Sequence, residues 1–436
     1  MSFVSKVNVI YTDSDSGLSY ELPALFTESG LIISHLRYLA WFNQKSASWK
    51  ERSVFSLKLL IEHINASSPQ LSSATNMLKS FSTRLVAGTI DYNTLDDELG
   101  LFWKPRKIRD TNSILFHITH YTDFLARQSG YETSRINPFR KSTNYEDRLN
   151  WCAYYQQQRN VFLNHLSTPN NPNQVRLIGH HQDHKIDNDK VFRFPEHELE
   201  RLLYIGFIKD NIPDYKSQCI TMLLNYGGLR KSEVFHIYIS DITQNPLKPD
   251  EALVRVYHPE FGASPDHYYK TRNEYLRAAT SYKPRNKYRL SERLYAGWKG
   301  PLLTSRDGYF EVIFSPPSKA REFLNVWVNY LKFQRVDPAD SDFHPFAFTN
   351  SDGKPETLKN FQRKHKLAVE GIGLEFSKAA GTTEHGHRHA YGFRLRSYGL
   401  DQIEIQKAMH HKSPTSCLVY INPTNEEVRQ KMKEVE

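Results

Sequence analysis

The sequence predicts a mainly α-helical protein with a small antiparallel β-sheet, in which a helical N-terminal domain precedes a larger C-terminal domain. Apolar residues recur at the spacing of amphipathic helices between about residues 30 and 130, and again through much of the C-terminal half. Short runs rich in β-branched and aromatic residues at 252–257 and 310–314 predict strands of the small sheet. A length of 436 residues allows about two or three domains of ordinary size.

The chain divides into four predicted segments. They are an N-terminal β-like segment at 1–29, a helical domain at 30–130, a polar, partly helical linker at 131–193 and a second domain at 194–436. Two strand-like runs, at 7–12 and 18–25, flank an Asp- and Ser-rich turn, and four helical patterns follow them. The linker has a predicted helix at 145–165, followed by a loop rich in Pro and Asn.

Composition excludes several classes of protein. The sequence has no run of 18 apolar residues, so a transmembrane helix and a membrane partner are not expected. Its first residues lack an apolar segment of signal-peptide length, and a cytoplasmic location is therefore expected. The three cysteines, Cys152, Cys219 and Cys417, are far apart, which argues against a disulfide framework or a cysteine-based zinc site.

A basic insertion at about 258–300 separates the two predicted strands of the second domain. Between Lys270 and Gly300 there are nine basic and two acidic residues, so this stretch carries most of the chain's formal charge of +9. Tyrosines are interleaved with the basic residues, a pattern that suits the sugar-phosphate surface of nucleic acid better than a solvated loop. The candidate DNA-binding residues are Lys270, Arg272, Arg277, Lys283, Arg285, Lys287, Arg289 and Arg293.

Two short stretches carry residues suited to chemistry on a phosphodiester. In the first, Arg230 and Glu233 follow a Gly-Gly pair. In the second, His385, Arg388 and His389 are spaced i, i+3 and i+4, which places all three on one face of a helix. Each stretch alone also fits a purely structural interpretation, the first as a surface ion pair and the second as a polar cluster. Together they offer two guanidinium groups to a phosphate.

The order and spacing of four motifs resemble the tyrosine recombinase, or phage integrase, family. Residues 228–233 read Gly-Leu-Arg-Lys-Ser-Glu and match that family's Gly-Leu-Arg-x-Ser-Glu, and residues 385–389 match its His-x-x-Arg-His. Residues 409–413, Met-His-His-Lys-Ser, stand where Leu-Gly-His-x-Ser is expected, and Tyr420 follows His411 by nine residues as in the family pattern. The resemblance covers about residues 195–425 and implies a tyrosine-recombinase catalytic domain preceded by a helical core-binding domain.

The resemblance also implies roles for the matching residues. Arg230 and Arg388 would hold the scissile phosphate and stabilise its transition state, with His411 bonded to a phosphate oxygen. Tyr420 would be the nucleophile, and His385 would accept its proton. Glu233 and His389 would orient Arg230 and the helix of the second stretch. The implied product is a 3′-phosphotyrosyl intermediate, formed without a metal or other cofactor.

Further implications concern partners and biological context. The expected partner is double-stranded DNA, with two duplexes held by a homotetramer and each duplex clamped between the two domains. Integration of a mobile genetic element is the expected context, whereas accessory proteins and the target sequence cannot be read from the chain.

The chain departs from the family pattern at three places. His410 replaces the Gly of Leu-Gly-His, and His387 stands where Leu is usual. The insertion between the two strands is long, which complicates the choice of the catalytic lysine. Lys299 is chosen because it lies in a Gly-flanked turn before the second strand. The competing lysines are Lys270, Lys283 and Lys287.

Other interpretations stay open at this point. A type IB topoisomerase uses similar groups on one duplex, and a DNA-binding relative without activity would keep the same motifs. A metal-dependent hydrolase could use His385, His387 and His389, although alternate residues on a helix diverge. The linker histidines His180, His181 and His184 also have spacing that metal ligands use, but no cysteine or acidic residue completes that set, which favours a solvated linker.

Overall fold

The computed structural model describes residues 4–14, 17–67, 73–128, 135–141, 174–180 and 192–421. The chain separates into two compact units, Met1–Asn188 and Asp189–Glu436. The predicted linker helix at 145–165 lies outside the described residues, as do His181 and His184. Within the described ranges, no helix has both the length and the apolar character needed to cross a bilayer.

The first unit begins with a three-stranded antiparallel sheet. Strands β1 (Ser5–Thr12) and β2 (Ser19–Thr27) form a hairpin in which Thr12 lies opposite Ser19, and β3 (Gly30–Leu31) pairs with the end of β2. The two predicted strands are therefore confirmed.

Four helices follow this sheet and confirm the four predicted helical patterns. They are α1 (Ile33–Trp41), α2 (Ala47–Ala66), α3 (Ala74–Ala87) and α4 (Ile108–Ala126). Ser46 and Ser73 cap α2 and α3 by accepting hydrogen bonds from backbone amides three residues later. Buried residues of β2 and of all four helices belong to one apolar cluster, so the N-terminal sheet and the helices share a core. A short pair, β4 (Phe139–Lys141) and β5 (Gln174–Arg176), completes the described part.

The second unit is mainly helical and contains two small antiparallel sheets. Its helices are α5 (Leu199–Arg201), α6 (Tyr215–Asn225), α7 (Lys231–Val234), α8 (Arg272–Ala279), α9 (Lys319–Phe333), α10 (Leu358–Gly371), α11 (Glu384–Ser397), α12 (Gln402–Ala408) and α13 (Leu418–Ile421). Its strands are β6 (Ile208–Lys209), β7 (Ile212–Pro213), β8 (Ile242–Asn245), β9 (Lys248–Tyr257) and β10 (Tyr309–Glu311). The predicted fold class, mainly α with small antiparallel sheets, is confirmed.

The larger sheet of this unit has the order β10-β9-β8, with β9 in the middle. Tyr309 of β10 lies opposite Tyr257 of β9, which confirms that the two predicted strands pair. Val254, Val256 and Phe310 are buried on the side of the sheet that joins the main core. The chain between the paired strands includes α8 and forms the predicted long connection.

Helix α11 is held in place by its neighbours in the second unit. It packs against α6, and its Arg394 donates hydrogen bonds to the backbone oxygens of Asn225 at 3.1 Å and Ser315 at 2.8 Å. Neither carbonyl would otherwise have water available at this depth, so the arginine satisfies two buried acceptors at once. This arrangement fixes the helix that carries the His385 motif.

Candidate active site

Arg230 projects from a tight turn between α6 and α7. Gly228 has φ of +65°, and a Cβ there would lie 2.3 Å from a ring carbon of Tyr391, so the turn requires glycine. The chain then places Arg230 at the N-cap of α7. The Arg230 guanidinium donates to Glu233 at 2.7 Å, and Glu233 also accepts from the Arg230 backbone N–H at 2.8 Å. Glu233 is buried and thus fixes both the turn and the arginine.

Arg388 extends from α11 toward the same turn and is buried. One of its terminal nitrogens donates to the backbone oxygen of Gly228, and the other donates to the backbone oxygen of Met409 at 2.7 Å. A guanidinium has five N–H donors, so these two contacts orient the group without using all of them. Arg388 therefore joins the Arg230 turn, α11 and the end of α12 at one point.

Tyr420 lies in α13 with only 3% of its surface exposed. Its hydroxyl is 3.2 Å from Nδ1 of His389. The ring of His385 is packed edge-on against that of His389, with 4.4 Å between their centroids. The hydroxyl therefore contacts His389 and not His385 in this structure, and a role for His385 in proton transfer stays a prediction. His389 occupies that place because it lies one helical turn nearer to α13.

His411 completes the cluster from the segment between α12 and α13. Its ring is nearly parallel to that of Tyr420, at 11° and with 6.2 Å between centroids. Its Nδ1 lies 3.1 Å from Sγ of Cys417. The four motifs predicted from the sequence, carried by Arg230, Arg388, His411 and Tyr420, therefore meet in one cluster of side chains.

Burial and positive neighbours keep the imidazoles of the site neutral. Burial is the largest cause that lowers the pKa of His385 to about 4, with the charges of His389, Arg388 and Lys299 adding to it. Burial and Arg388 likewise lower the pKa of His389 to about 4 and that of His411 to about 3. Burial raises the pKa of Tyr420, and Arg388 is the strongest influence opposing that rise. At neutral pH the site therefore pairs a protonated phenol with neutral proton acceptors.

The two histidines that depart from the family pattern are structural in different ways. His387 points into the core, where its ring nitrogens contact His365 at 2.8 Å and Asn225 at 3.0 Å. It therefore cannot share a ligand with His385 and His389, which weakens the metal-hydrolase interpretation.

His410 has φ of +53°, a backbone conformation that favours glycine, and its ring stacks on Phe310 at 3.8 Å. Among the described residues, neither of its ring nitrogens has a hydrogen-bond partner.

Lys299 lies in the connection between β9 and β10 and is exposed. It is close enough to His385 for its charge to lower that pKa. The backbone N–H of Leu302 donates to the backbone oxygen of His410 at 3.1 Å, which attaches this part of the connection beside His411. Two competing lysines are engaged elsewhere, Lys287 with Glu260 at 2.9 Å and Lys283 with Glu292 at 3.7 Å.

Two of the predicted DNA-binding arginines are buried, and that part of the prediction is wrong. Arg272 is 1% exposed and binds both carboxylate oxygens of Asp241, at 2.9 and 2.5 Å. Arg285 is 2% exposed and donates to three backbone oxygens, including that of Glu356 at 2.8 Å. The other predicted residues are partly or fully exposed: Lys270, Arg277, Lys283, Lys287, Arg289 and Arg293.

A basic cleft beside His385 is not predictable from the sequence alone. The cleft has a volume of about 560 Å³, and its lining includes Lys231, Arg363, Lys366 and Lys378. Arg363 and Lys366 lie on one face of α10, and Lys231 is the variable residue of the Gly-Leu-Arg-x-Ser-Glu motif. The basic residues of α10 can be read from the sequence, but only the fold brings that face of the helix next to His385.

Comparison with known proteins places this geometry in context. Neither a protein-family model nor a curated protein matches the sequence. The solved structures that the chain resembles include site-specific recombinases and integrases. They include a XerH site-specific recombinase bound to difH substrate, with a TM-score of 0.49 and 14% identity over 88% of this chain and 78% of that one.

Two further structures of this kind are integrases bound to DNA. The Tn1549 transposon integrase with transposon right end DNA has a TM-score of 0.48 and 14% identity, over 92% of this chain and 98% of that one. A lambda integrase dimer on a core site has a TM-score of 0.47 and 10% identity, over 91% and 97% of the two chains. Since every one of these TM-scores is below 0.5, the inference about function rests on the side chains of the site.

Proposed function

We propose that this chain is a site-specific DNA recombinase that cleaves and rejoins strands through a 3′-phosphotyrosyl intermediate on Tyr420. The observation that carries the proposal is the convergence of one buried tyrosine with two guanidinium groups and two neutral histidines. Both Arg388 and Arg230 are close enough to lower the pKa of Tyr420 against the effect of burial. That combination suits attack by a phenol oxygen on an anionic phosphodiester.

The two arginines are proposed to bind the non-bridging oxygens of the scissile phosphate. Arg388 is oriented by the carbonyls of Gly228 and Met409, and Arg230 by the carboxylate of Glu233. Groups oriented in advance need little rearrangement when negative charge develops in the transition state. His411 supplies a further hydrogen bond to a phosphate oxygen from the side of the site next to Tyr420.

The chemical step is a transesterification in which His389 takes the phenolic proton. A bond forms between the Tyr420 oxygen and phosphorus as the bond from phosphorus to the 5′ oxygen breaks. Lys299 is proposed to give a proton to the departing 5′ oxygen, and reversal of the same steps rejoins a strand. The phosphotyrosine keeps the energy of the original ester, so no nucleotide cofactor is required.

The proposed partner is double-stranded DNA. The exposed lysines and arginines of the connection between β9 and β10, together with the cleft beside His385, offer positive surface to a duplex. Assembly as a homotetramer, a mobile-element context and contact of the first unit with the duplex remain predictions.

The proposal is tested by capturing a covalent protein–DNA adduct. Purified protein is incubated with a pool of nicked duplexes that carry a randomised segment, and complexes that survive denaturation are recovered and sequenced. We expect a recurrent sequence, and peptide mapping of the adduct should place the DNA on Tyr420. Absence of any adduct from a pool that the protein binds, or attachment at another residue, would overturn the proposal.

Replacing Arg388 by Lys is expected to slow adduct formation by about 10²- to 10³-fold. A lysine ammonium cannot donate to Gly228 and Met409 and also present a planar fork to phosphate. The measurement is the single-turnover rate on the duplex recovered from the pool. Arg396→Lys on the same helix is the control and should retain the wild-type rate. An unchanged rate for Arg388→Lys would remove Arg388 from the phosphate site.

Replacing Gly392 by Ala is expected to slow adduct formation and to lower the free energy of unfolding by about 1–3 kcal/mol, because the added methyl overpacks a buried position. The new Cβ would lie 2.8 Å from two ring carbons of Tyr420, so the ring must move. Misplacement of a reacting group by about 1 Å can cost on the order of 10²-fold in rate. Gly371→Ala is the control, because a Cβ in that helical position meets nothing within 4 Å. Equal rates for both variants would contradict the prediction.

A further inference from the structure

Cys417 occupies a particular position beside the active site. It lies three residues before Tyr420, is fully buried, and belongs to the same small apolar cluster as Tyr420. Its Sγ is 3.1 Å from Nδ1 of His411, within hydrogen-bonding distance for sulfur. No role in phosphate binding requires a thiol at this place, so the contact calls for an explanation of its own.

The thiol and the imidazole are both uncharged in this contact. Burial raises the pKa of Cys417, and it lowers the pKa of His411 to about 3. Only two arrangements of protons are then available. Either the S–H donates to Nδ1 and the ring carries its proton on Nε2, or Nδ1–H donates to the sulfur and Nε2 is bare.

The proposed reaction needs the first of these arrangements. A neutral imidazole has one N–H, and a phosphate oxygen can only accept a hydrogen bond. With Nδ1 occupied by Cys417, the ring can donate to phosphate only through Nε2. Among the described residues Nε2 of His411 has no protein partner. It is also not fully enclosed by protein atoms. That nitrogen is therefore available to a ligand.

Other contacts already hold the backbone and plane of His411. Its backbone oxygen accepts from Nε2 of Gln406 at 3.1 Å, and its ring lies nearly parallel to that of Tyr420. Neither contact distinguishes the two tautomers of the ring. Among the described residues, the thiol of Cys417 is the group that bonds directly to Nδ1, so it acts on the position of the proton.

We infer that Cys417 is a positioning residue that holds His411 in the Nε2–H tautomer, ready to donate to a phosphate oxygen. The inference rests on the proposed function for its purpose, but the tautomer is a property of the protein without DNA. A serine hydroxyl can donate in the same way as the thiol, whereas an alanine methyl cannot. Serine should therefore replace Cys417 and alanine should not.

The first test compares Cys417→Ser with Cys417→Ala in single-turnover adduct formation on the duplex recovered from the random pool. Loss of one neutral hydrogen bond predicts a rate about three- to ten-fold lower for the alanine variant, with the serine variant near wild type. Cys219→Ala is the control, since Cys219 is buried in α6 away from this cluster. An alanine variant as fast as wild type, or a serine variant as slow as alanine, would overturn the inference.

The second test reads the tautomer without DNA. Protein labelled with ¹⁵N-histidine is studied by correlation spectra that distinguish protonated from bare ring nitrogens, and His411→Gln assigns the signal. Wild type and Cys417→Ser should show Nε2–H, and Cys417→Ala a mixture of both tautomers. A wild-type Nδ1–H signal, or no change in Cys417→Ala, would overturn the inference. If wild type forms no adduct, the proposed function fails, while these spectra still decide the role of Cys417.

Discussion

Replacing Tyr420 by Phe is expected to abolish the covalent adduct while the protein stays folded. The substitution removes the only oxygen of the side chain and keeps the ring that packs against Phe393 and Gly392. It also removes the hydrogen bond to His389, a loss of about 0.5–1.5 kcal/mol in the free energy of unfolding. The chemical effect should therefore be complete and the structural effect small.

The measurement is the yield of protein–DNA adduct under denaturing conditions, together with binding of the same duplex under native conditions. Tyr398→Phe is the matched control, because Tyr398 caps the same helix α11 but is exposed. We expect the Tyr420 variant to bind the duplex without forming an adduct, and the Tyr398 variant to behave as wild type. An adduct formed by the Tyr420 variant would place the nucleophile elsewhere.

Much of the site was predictable because it depends on local spacing. His385, Arg388 and His389 lie on one face of α11 as their i, i+3 and i+4 positions require. The turn at Gly228 was likewise signalled by its glycine pair, and the order of the four motifs indicated which distant residues would meet. Short-range geometry therefore placed the groups within each motif, whereas the resemblance to a family indicated which motifs would lie together.

The contact of the Tyr420 hydroxyl could not be predicted in the same way. His385 and His389 share a helical face, and only the approach of α13 decides which of them meets the tyrosine. That approach depends on the packing of Tyr420 against Gly392 and Cys417, which are far from each other in sequence.

The basic insertion shows a different limit. Counting charges treats Arg272 and Arg277 alike, since both lie in α8 and both can bind phosphate. Whether an arginine of this segment is buried depends on partners remote in sequence, such as Asp241 for Arg272 and Glu356 for Arg285. Net charge predicted a DNA-binding surface in this segment, but it could not identify which arginines belong to the core.

Arg272→Ala is consequently expected to destabilise the second unit rather than weaken DNA contact directly. The guanidinium binds Asp241 through two hydrogen bonds and lies 4.0 Å from the ring centroids of both Tyr238 and Tyr257. Removing one partner of a buried ion pair leaves the other charge uncompensated, at a cost of about 3–5 kcal/mol in the free energy of unfolding. Urea unfolding followed by tryptophan fluorescence measures this loss.

Two matched variants separate this structural role from a role in binding. Arg277→Ala on the same helix removes an exposed charge, so its unfolding should shift by no more than about 0.5 kcal/mol while affinity for DNA falls. Combining Arg272→Met with Asp241→Asn removes both charges and should recover much of the stability lost in Arg272→Ala, because no unpaired charge is then buried. Wild-type stability with weakened DNA binding in Arg272→Ala would instead return Arg272 to the DNA-binding surface.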